Sequence, residues 1–217
     1  MLAPGAFIES AEAAGLLPAL DRWVLQQACR QVARWREISP QFVVSVNVSA
    51  GHLGDPGLVD QVSMAVAAAG VPPSALTLEV TETALVADLA QAAGTLRELA
   101  DLGVRIALDD FGTGYSSLTY LRTLPIHTIK IDRSFVRDLA GNVTDEAVTR
   151  AILGLAETLG LRPVAEGVED ISQAERLLDL RCRLAQGFLF GRPMPSTQIT
   201  GLLRVAAAVS LPGAERV

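Results

Sequence analysis

Asp109 and Asp110 close an apolar run, Val104-Arg105-Ile106-Ala107-Leu108, and open a glycine-rich stretch, Phe111-Gly112-Thr113-Gly114-Tyr115-Ser116-Ser117. The run has the character of a buried strand, and the stretch that of backbone approaching a partner closely. Adjacent carboxylates at a strand end repel each other unless a cation lies between them. Two readings stay open on this segment alone: a metal site, or a split pair in which one aspartate caps a helix. Asp110-Phe111-Gly112 also spells a kinase metal-binding tripeptide. That reading fails because the chain has neither a glycine-rich phosphate loop after a first strand nor a His-Arg-Asp loop.

The positioning elements follow from hydrophobic pattern. Short runs rich in Val, Ile and Leu occur at residues 42–48, 76–81, 104–109, 128–132, 162–166 and 182–186. They do not alternate, as expected of strands buried on both faces. Helical periodicity fills 58–69, 88–102, 145–159 and 172–180, with Gly70, Gly103 and Gly160 where helix ends favour a left-handed residue. Helices are also expected at 9–15 and 21–37, and a last apolar one after Thr197. The alternation predicts an α/β fold with a parallel sheet covered by helices. Six strands are two fewer than an eight-stranded barrel, which typically takes ~250 residues. The expectation is one domain over residues 1–210, with 211–217 as a tail.

In such folds chemistry gathers at the carboxyl ends of strands. Asn47 lies near the end of the first, Glu79 and Glu82 at the second, and Asp109 and Asp110 at the third. Lys130 falls late in the fourth, Glu166 and Glu169 at the fifth, and Gln186 at the sixth. Each has a structural alternative. Asn47 and Gln186 could be satisfied core amides. Glu82 could begin a helix capped by Thr81 or Thr83, Lys130 could snorkel, and Glu166 and Glu169 could be first-turn helix charges. One polar group per strand at a common rim is harder to obtain by packing alone. Oxygen donors without His or Cys favour hard cations such as magnesium or manganese over zinc. Neighbouring aspartates can share two ions, and a lysine among them can orient water and neutralise phosphate charge. His52 and His127 lack partner spacing and read as surface or packing residues.

A net charge of −6 without a basic stripe argues against binding a DNA or RNA backbone. It leaves room for a small phosphodiester whose charge metal ions meet. Cys29 and Cys182 are isolated, as reduced buried thiols would be. No run resembles a membrane span and no basic-then-apolar leader is present, so the expected location is cytoplasmic.

Six segments resemble, in order, the EAL family of bacterial cyclic di-GMP phosphodiesterases. They are Ser45-Val46-Asn47-Val48-Ser49; Leu78-Glu79-Val80-Thr81-Glu82-Thr83; Leu108-Asp109-Asp110-Phe111-Gly112-Thr113-Gly114-Tyr115-Ser116-Ser117-Leu118; Ile129-Lys130-Ile131-Asp132-Arg133-Ser134-Phe135; Ala165-Glu166-Gly167-Val168-Glu169; and Ala185-Gln186-Gly187-Phe188-Leu189-Phe190-Gly191-Arg192-Pro193-Met194-Pro195. The resemblance implies a modified (β/α)8 TIM-type barrel that hydrolyses cyclic di-GMP to linear pGpG with two divalent cations, magnesium or manganese. By matching position, Asn47, Glu79 and Asp109 would hold one ion, with Asp109 bridging and Asp110 serving the second. Lys130 and Glu166 would handle the attacking water and the second-metal side. Glu82 would anchor the loop after Asp110, which in this family tends to face a homodimer partner. Glu169 and Gln186 would support the pocket.

The chain departs from the family in lacking the Glu-Ala-Leu strand and the strand before it. About six of eight βα units are therefore expected, and Arg181-Cys182-Arg183-Leu184 departs from the usual small, acidic and aromatic residues. An incomplete barrel has open edges that favour dimers or aggregates. Little or no hydrolysis by these 217 residues alone is the corresponding expectation. A different class of function fits the same residues: an inactive module that binds cyclic di-GMP or a protein. A sensory or GGDEF-type domain upstream in a longer parent is compatible with either.

Overall fold

Five short aliphatic-rich runs build the sheet in a computed structural model that describes residues 4–87, 89–112 and 118–209. They are β1 (Val44–Asn47), β2 (Leu76–Thr81), β3 (Arg105–Phe111), β4 (Thr128–Ile131) and β5 (Arg162–Ala165). The spatial order is β1-β2-β3-β4-β5, and every neighbouring pair is parallel. Parallel neighbours require crossovers, and helices supply them. α1 (Ile8–Ala13) and α2 (Leu17–Arg36) precede β1, and α3 (Ala50–Leu53) and α4 (Leu58–Ala69) link β1 to β2. α5 (Glu82–Ala87) and α6 (Leu89–Asp101) lead to β3, and α7 (Leu118–Thr123) to β4. α8 (Arg133–Arg137) and α9 (Val143–Leu159) lead to β5, which α10 (Ile171–Asp179) and α11 (Ser196–Val209) follow.

The sheet has two unlike faces. Val46, Leu78, Val80, Ile106, Leu108, Ile129 and Ile131 belong to the buried apolar core, together with Val62 and Val66 of α4 and Leu96 and Leu99 of α6. Burying each large aliphatic side chain contributes roughly 1.5–3 kcal/mol. The alternate residues face the other way. Ser45, Thr77, Glu79, Arg105, Thr128 and Lys130 line a cavity of about 280 Å3. The runs thus alternate after all, contrary to the expectation of strands apolar on both faces: an aliphatic outer set lies opposite an inner set that is mostly polar, with Ala107 and Val164 among it.

Residues 182–186 take up the expected place beside β5 and run parallel to it, but as a single bridge between Ala165 and Ala185. Ala165 N donates to Leu184 O, and Gln186 N to Ala165 O, at 3.0 and 2.8 Å. Backbone bonding goes one step further, Val168 N donating to Gln186 O at 3.1 Å beyond the end of β5. Arg181 is left-handed at φ 65°, and β5 itself ends at Ala165. The predicted helices form within a few residues of their expected limits, and Gly70 and Gly160 close α4 and α9 in the left-handed conformation. The short helices α3, α7 and α8 were absent from the hydrophobic pattern, being too short to show periodicity. The expected tail at 211–217 lies outside the described residues.

His52 is a buried member of a polar cluster rather than a surface residue, at 1% exposure. Its Nδ1 lies 3.6 Å from Asp21 Oδ2, and its Nε2 is 2.9 Å from Gln61 Oε1. Asp21 also accepts from Ser49 N at 2.9 Å, so the cluster ties α2 to the turn after β1. Burial works against the charged imidazole, but the nearby Asp21 carboxylate and the hydrogen bond to Gln61 raise the His52 pKa overall. A raised histidine pKa gives stability that is complete below the unfolded value of about 6.5 and is lost as pH rises through the folded value. The gap in Tm between the parent and a His52→Gln variant should therefore be wider near about pH 5.5 than near about pH 8.5. A gap independent of pH would refute the ion pair.

Candidate metal centre

The parallel register brings the predicted rim together. Asn47 pairs with Glu79, Glu79 with Ala107, and Lys130 with Val164. Asp109 lies two residues beyond Ala107 on the same strand face. At this mouth the Lys130 ammonium is 2.7 Å from Glu79 Oε2, 3.0 Å from Asp109 Oδ1 and 2.6 Å from Glu166 Oε1. Lys130 is 4% exposed, and Glu79 and Asp109 are 8% and 9%. It does not snorkel to water. Burial opposes its charge, but the Glu79 charge and the bonds to Glu166 and Glu79 raise its pKa well above the ordinary lysine value. The Glu166 pKa is also raised, chiefly by burial, with the Lys130 bond opposing.

Asp109 and Asp110 are adjacent, and regular pleating would send their side chains to opposite faces. The β3–β4 register shifts between Leu108 and Phe111, and Asp110 has φ 55°. A bulge with one left-handed residue re-aims side chains. Here it lets oxygens of Asp109, Asp110 and Glu166 lie within 4.8 Å of one another. Burial and then the charges of Asp109 and Asp132 raise the Asp110 pKa. Among the described residues, only these three form a cluster of at least three acidic, His or Cys side chains able to share a cation. The fit is chemical as well as geometric: every donor is a carboxylate oxygen, the preference of hard divalent ions.

The remaining predicted residues divide. Gln186 joins the cluster, its Nε2 donating to Glu166 Oε1 at 2.5 Å. Asn47 ends β1 at the same rim and is exposed. Glu169 lies outside the Lys130 cluster. It lines a depression of about 770 Å3 with Asp110, Asp132, Arg133 and Glu166. Glu82 is the first residue of α5 and 6% exposed, and Thr81 Oγ1 accepts from Ala84 N at 3.3 Å, as in a helix cap. The loop it was expected to anchor includes residues 113–117, outside those described. Asp132 and Arg133, in the same depression as Glu169, carry no role that the sequence pattern assigns. Asp132 is two residues beyond Lys130, so strand parity was an available signal.

An α/β fold of parallel strands with an acidic, lysine-centred mouth at their carboxyl ends is thus the class of molecule at hand. The EAL domain family model matches residues 1–193, and the chain belongs to that family. An uncharacterized protein of Mycobacterium tuberculosis is 47% identical over 205 residues, covering 94% of this chain and 33% of the relative. The bifunctional diguanylate cyclase/cyclic di-GMP phosphodiesterase MucR of Pseudomonas aeruginosa is 44% identical over 200 residues, covering 92% and 29%. The chain thus spans about a third of the length of these curated relatives. Among solved structures, a MucR phosphodiesterase in complex with c-di-GMP superposes with a TM-score of 0.87 at 45% identity, covering 91% of this chain and 81% of that one. The EAL domain of Mycobacterium smegmatis DcpA gives 0.81 at 42% identity, covering 85% and 83%.

Gly187 holds the edge of this site. At φ 156°, a Cβ there would lie 2.2 Å from Val168 O and 2.3 Å from Val168 N. Backbone atoms cannot yield as a flexible side chain can. Gly187→Ala should lower stability by about 1–3 kcal/mol, the usual cost of overpacking. It should also displace Gln186 from Glu166. Denaturant unfolding checks the first expectation, and an unchanged midpoint would contradict the close approach.

Proposed function

We propose that this chain carries the site of a cyclic di-GMP phosphodiesterase, cleaving one phosphodiester to give linear pGpG with two magnesium or manganese ions. The observation that carries the reading is the convergence of Glu79, Asp109 and Glu166 on Lys130 Nζ, with Asp110 beside them, in an EAL domain chain. Asn47, Glu79 and Asp109 would hold one cation, with Asp109 shared, and Asp110 and Glu166 would hold the other. The cations would acidify a water and offset phosphate charge.

The chain's own groups divide the remaining work. Lys130, held charged, cannot take a proton at neutral pH. Its role is to orient the water and neutralise charge developing on the phosphate oxygens. Glu166, whose pKa burial raises, is the carboxylate best suited to accept the water proton as the water oxygen forms its bond to phosphorus and the phosphorus–ribose oxygen bond breaks, the departing oxygen taking a proton from solvent. Gln186 fixes the rotamer of Glu166 by its hydrogen bond. Glu82 and Glu169 support the loop and pocket. A homodimer through the loop after Asp110, and a cyclase-type or sensory domain in a longer parent, belong to the same proposal. No helix among the described residues is long and apolar enough to cross a membrane.

The test is manganese-dependent release of pGpG, measured by chromatography. It is run on the 217-residue chain and on the longest in-frame product containing it. Lys130→Ala or Glu166→Gln in whichever form is active should lower turnover about 10²–10⁴-fold. Binding of cyclic di-GMP by both forms without cleavage would favour the inactive binding module instead.

A further inference from the structure

The Lys130 ammonium shares its oxygens with other donors. Asp109 Oδ1 accepts from Lys130 at 3.0 Å and from the backbone N–H of Asp110 at 3.0 Å. Glu166 Oε1 accepts from Lys130 at 2.6 Å and from Gln186 Nε2 at 2.5 Å. Glu79 gives Oε2 to Lys130 at 2.7 Å. A carboxylate has about four lone-pair positions over two oxygens. On Asp109 and Glu166, one oxygen is thus already shared by two donors. A cation that binds these side chains must draw on the same negative charge that the ammonium neutralises, and must tolerate that ammonium nearby.

We propose that Lys130 is an internal competitor for the divalent cation. By drawing on the charge and lone pairs of Glu79, Asp109 and Glu166, it lowers the cation affinity of the site and keeps the three carboxylates converged in the cation's absence. The proposal rests on the metal-centre reading above and adds a sign to it. A lysine that made no claim on the cation's oxygens and stood clear of it would leave cation affinity nearly unchanged on removal. A lysine required only for folding would lower it. A competing ammonium raises it.

The experiment is calorimetric titration of magnesium, and separately manganese, into chelator-stripped protein, with no nucleotide present. Lys130→Met, close in size and uncharged, should bind the cation about ten-fold or more tightly than the parent. Lys130→Arg, which keeps the charge, should stay nearer the parent. Without cation, the Tm of Lys130→Met should fall, and added magnesium should restore more of it than the parent gains. Equal or weaker cation binding by folded Lys130→Met would overturn the proposal. Should Lys130→Met fold only with magnesium, recovery of its circular dichroism at concentrations below those that saturate the parent supports the proposal. Failure to recover at any concentration overturns it. Asp109→Asn separates this inference from its foundation. If that variant binds cation as the parent does, the metal centre and this inference both fail. If it binds more weakly while Lys130→Met binds no more tightly, the lysine inference alone fails.

Discussion

The constraint on which the rest of the molecule depends is the partial burial of like charge around a single cation. Glu79, Asp109 and Glu166 meet one ammonium, Lys130, where little water reaches. Taking charged groups out of water is costly, and removing one member of a buried set leaves the others uncompensated. The arrangement holds only if each strand delivers its side chain at the correct depth. A slip of one residue in β2 or β4 would send Glu79 or Lys130 into the apolar layer. The site and the register therefore enforce each other. Wrongly paired sheets bury an unmatched charge, and the correct pairing brings the set together.

That coupling explains the division of labour across the sheet. The inner face carries Ser45, Thr77, Glu79, Arg105, Thr128 and Lys130, residues that contribute little apolar burial. Stability has to come from the outer face, where Leu78, Ile106, Leu108, Ile129 and Ile131 meet the helices. Polar anchoring is added where helix meets sheet. The Asp21–His52–Gln61 cluster fixes the helix before β1 to the turn after it, next to the strand that ends in Asn47.

Much of this was legible in residue order because parallel strands bury both faces and end in function. Runs such as Thr77-Leu78-Glu79-Val80 announce both the strand and the inward glutamate. The βα alternation alone places Lys130 and Glu166 at the same rim. Other features were hidden for physical reasons. The bulge at Asp110 depends on backbone dihedrals, which an aspartate pair does not encode by its composition. Segment 182–186 has strand-like residues, yet it meets β5 in one bridge, because its partner strand is only four residues long and ends at Ala165. His52 looked isolated because its partners stand 31 residues before and 9 after it, counting from Asp21 and Gln61. Helix–helix contacts at such separations leave no local spacing to read.

The left-handed backbone at Asp110 bears on which acids the site can use. In that conformation the Cβ crowds the following carbonyl, and aspartate and asparagine are tolerated best because a short polar side chain can bond locally. Glutamate offers the same carboxylate to a cation, but its longer chain carries neither that local bond nor the same reach. Glu79 and Glu166, whose backbones are not left-handed, are free of this restriction. The mixture of aspartates and glutamates at one mouth is thus partly a record of backbone handedness. A chain that lost the bulge could keep every acid and still aim one of them at the wrong face.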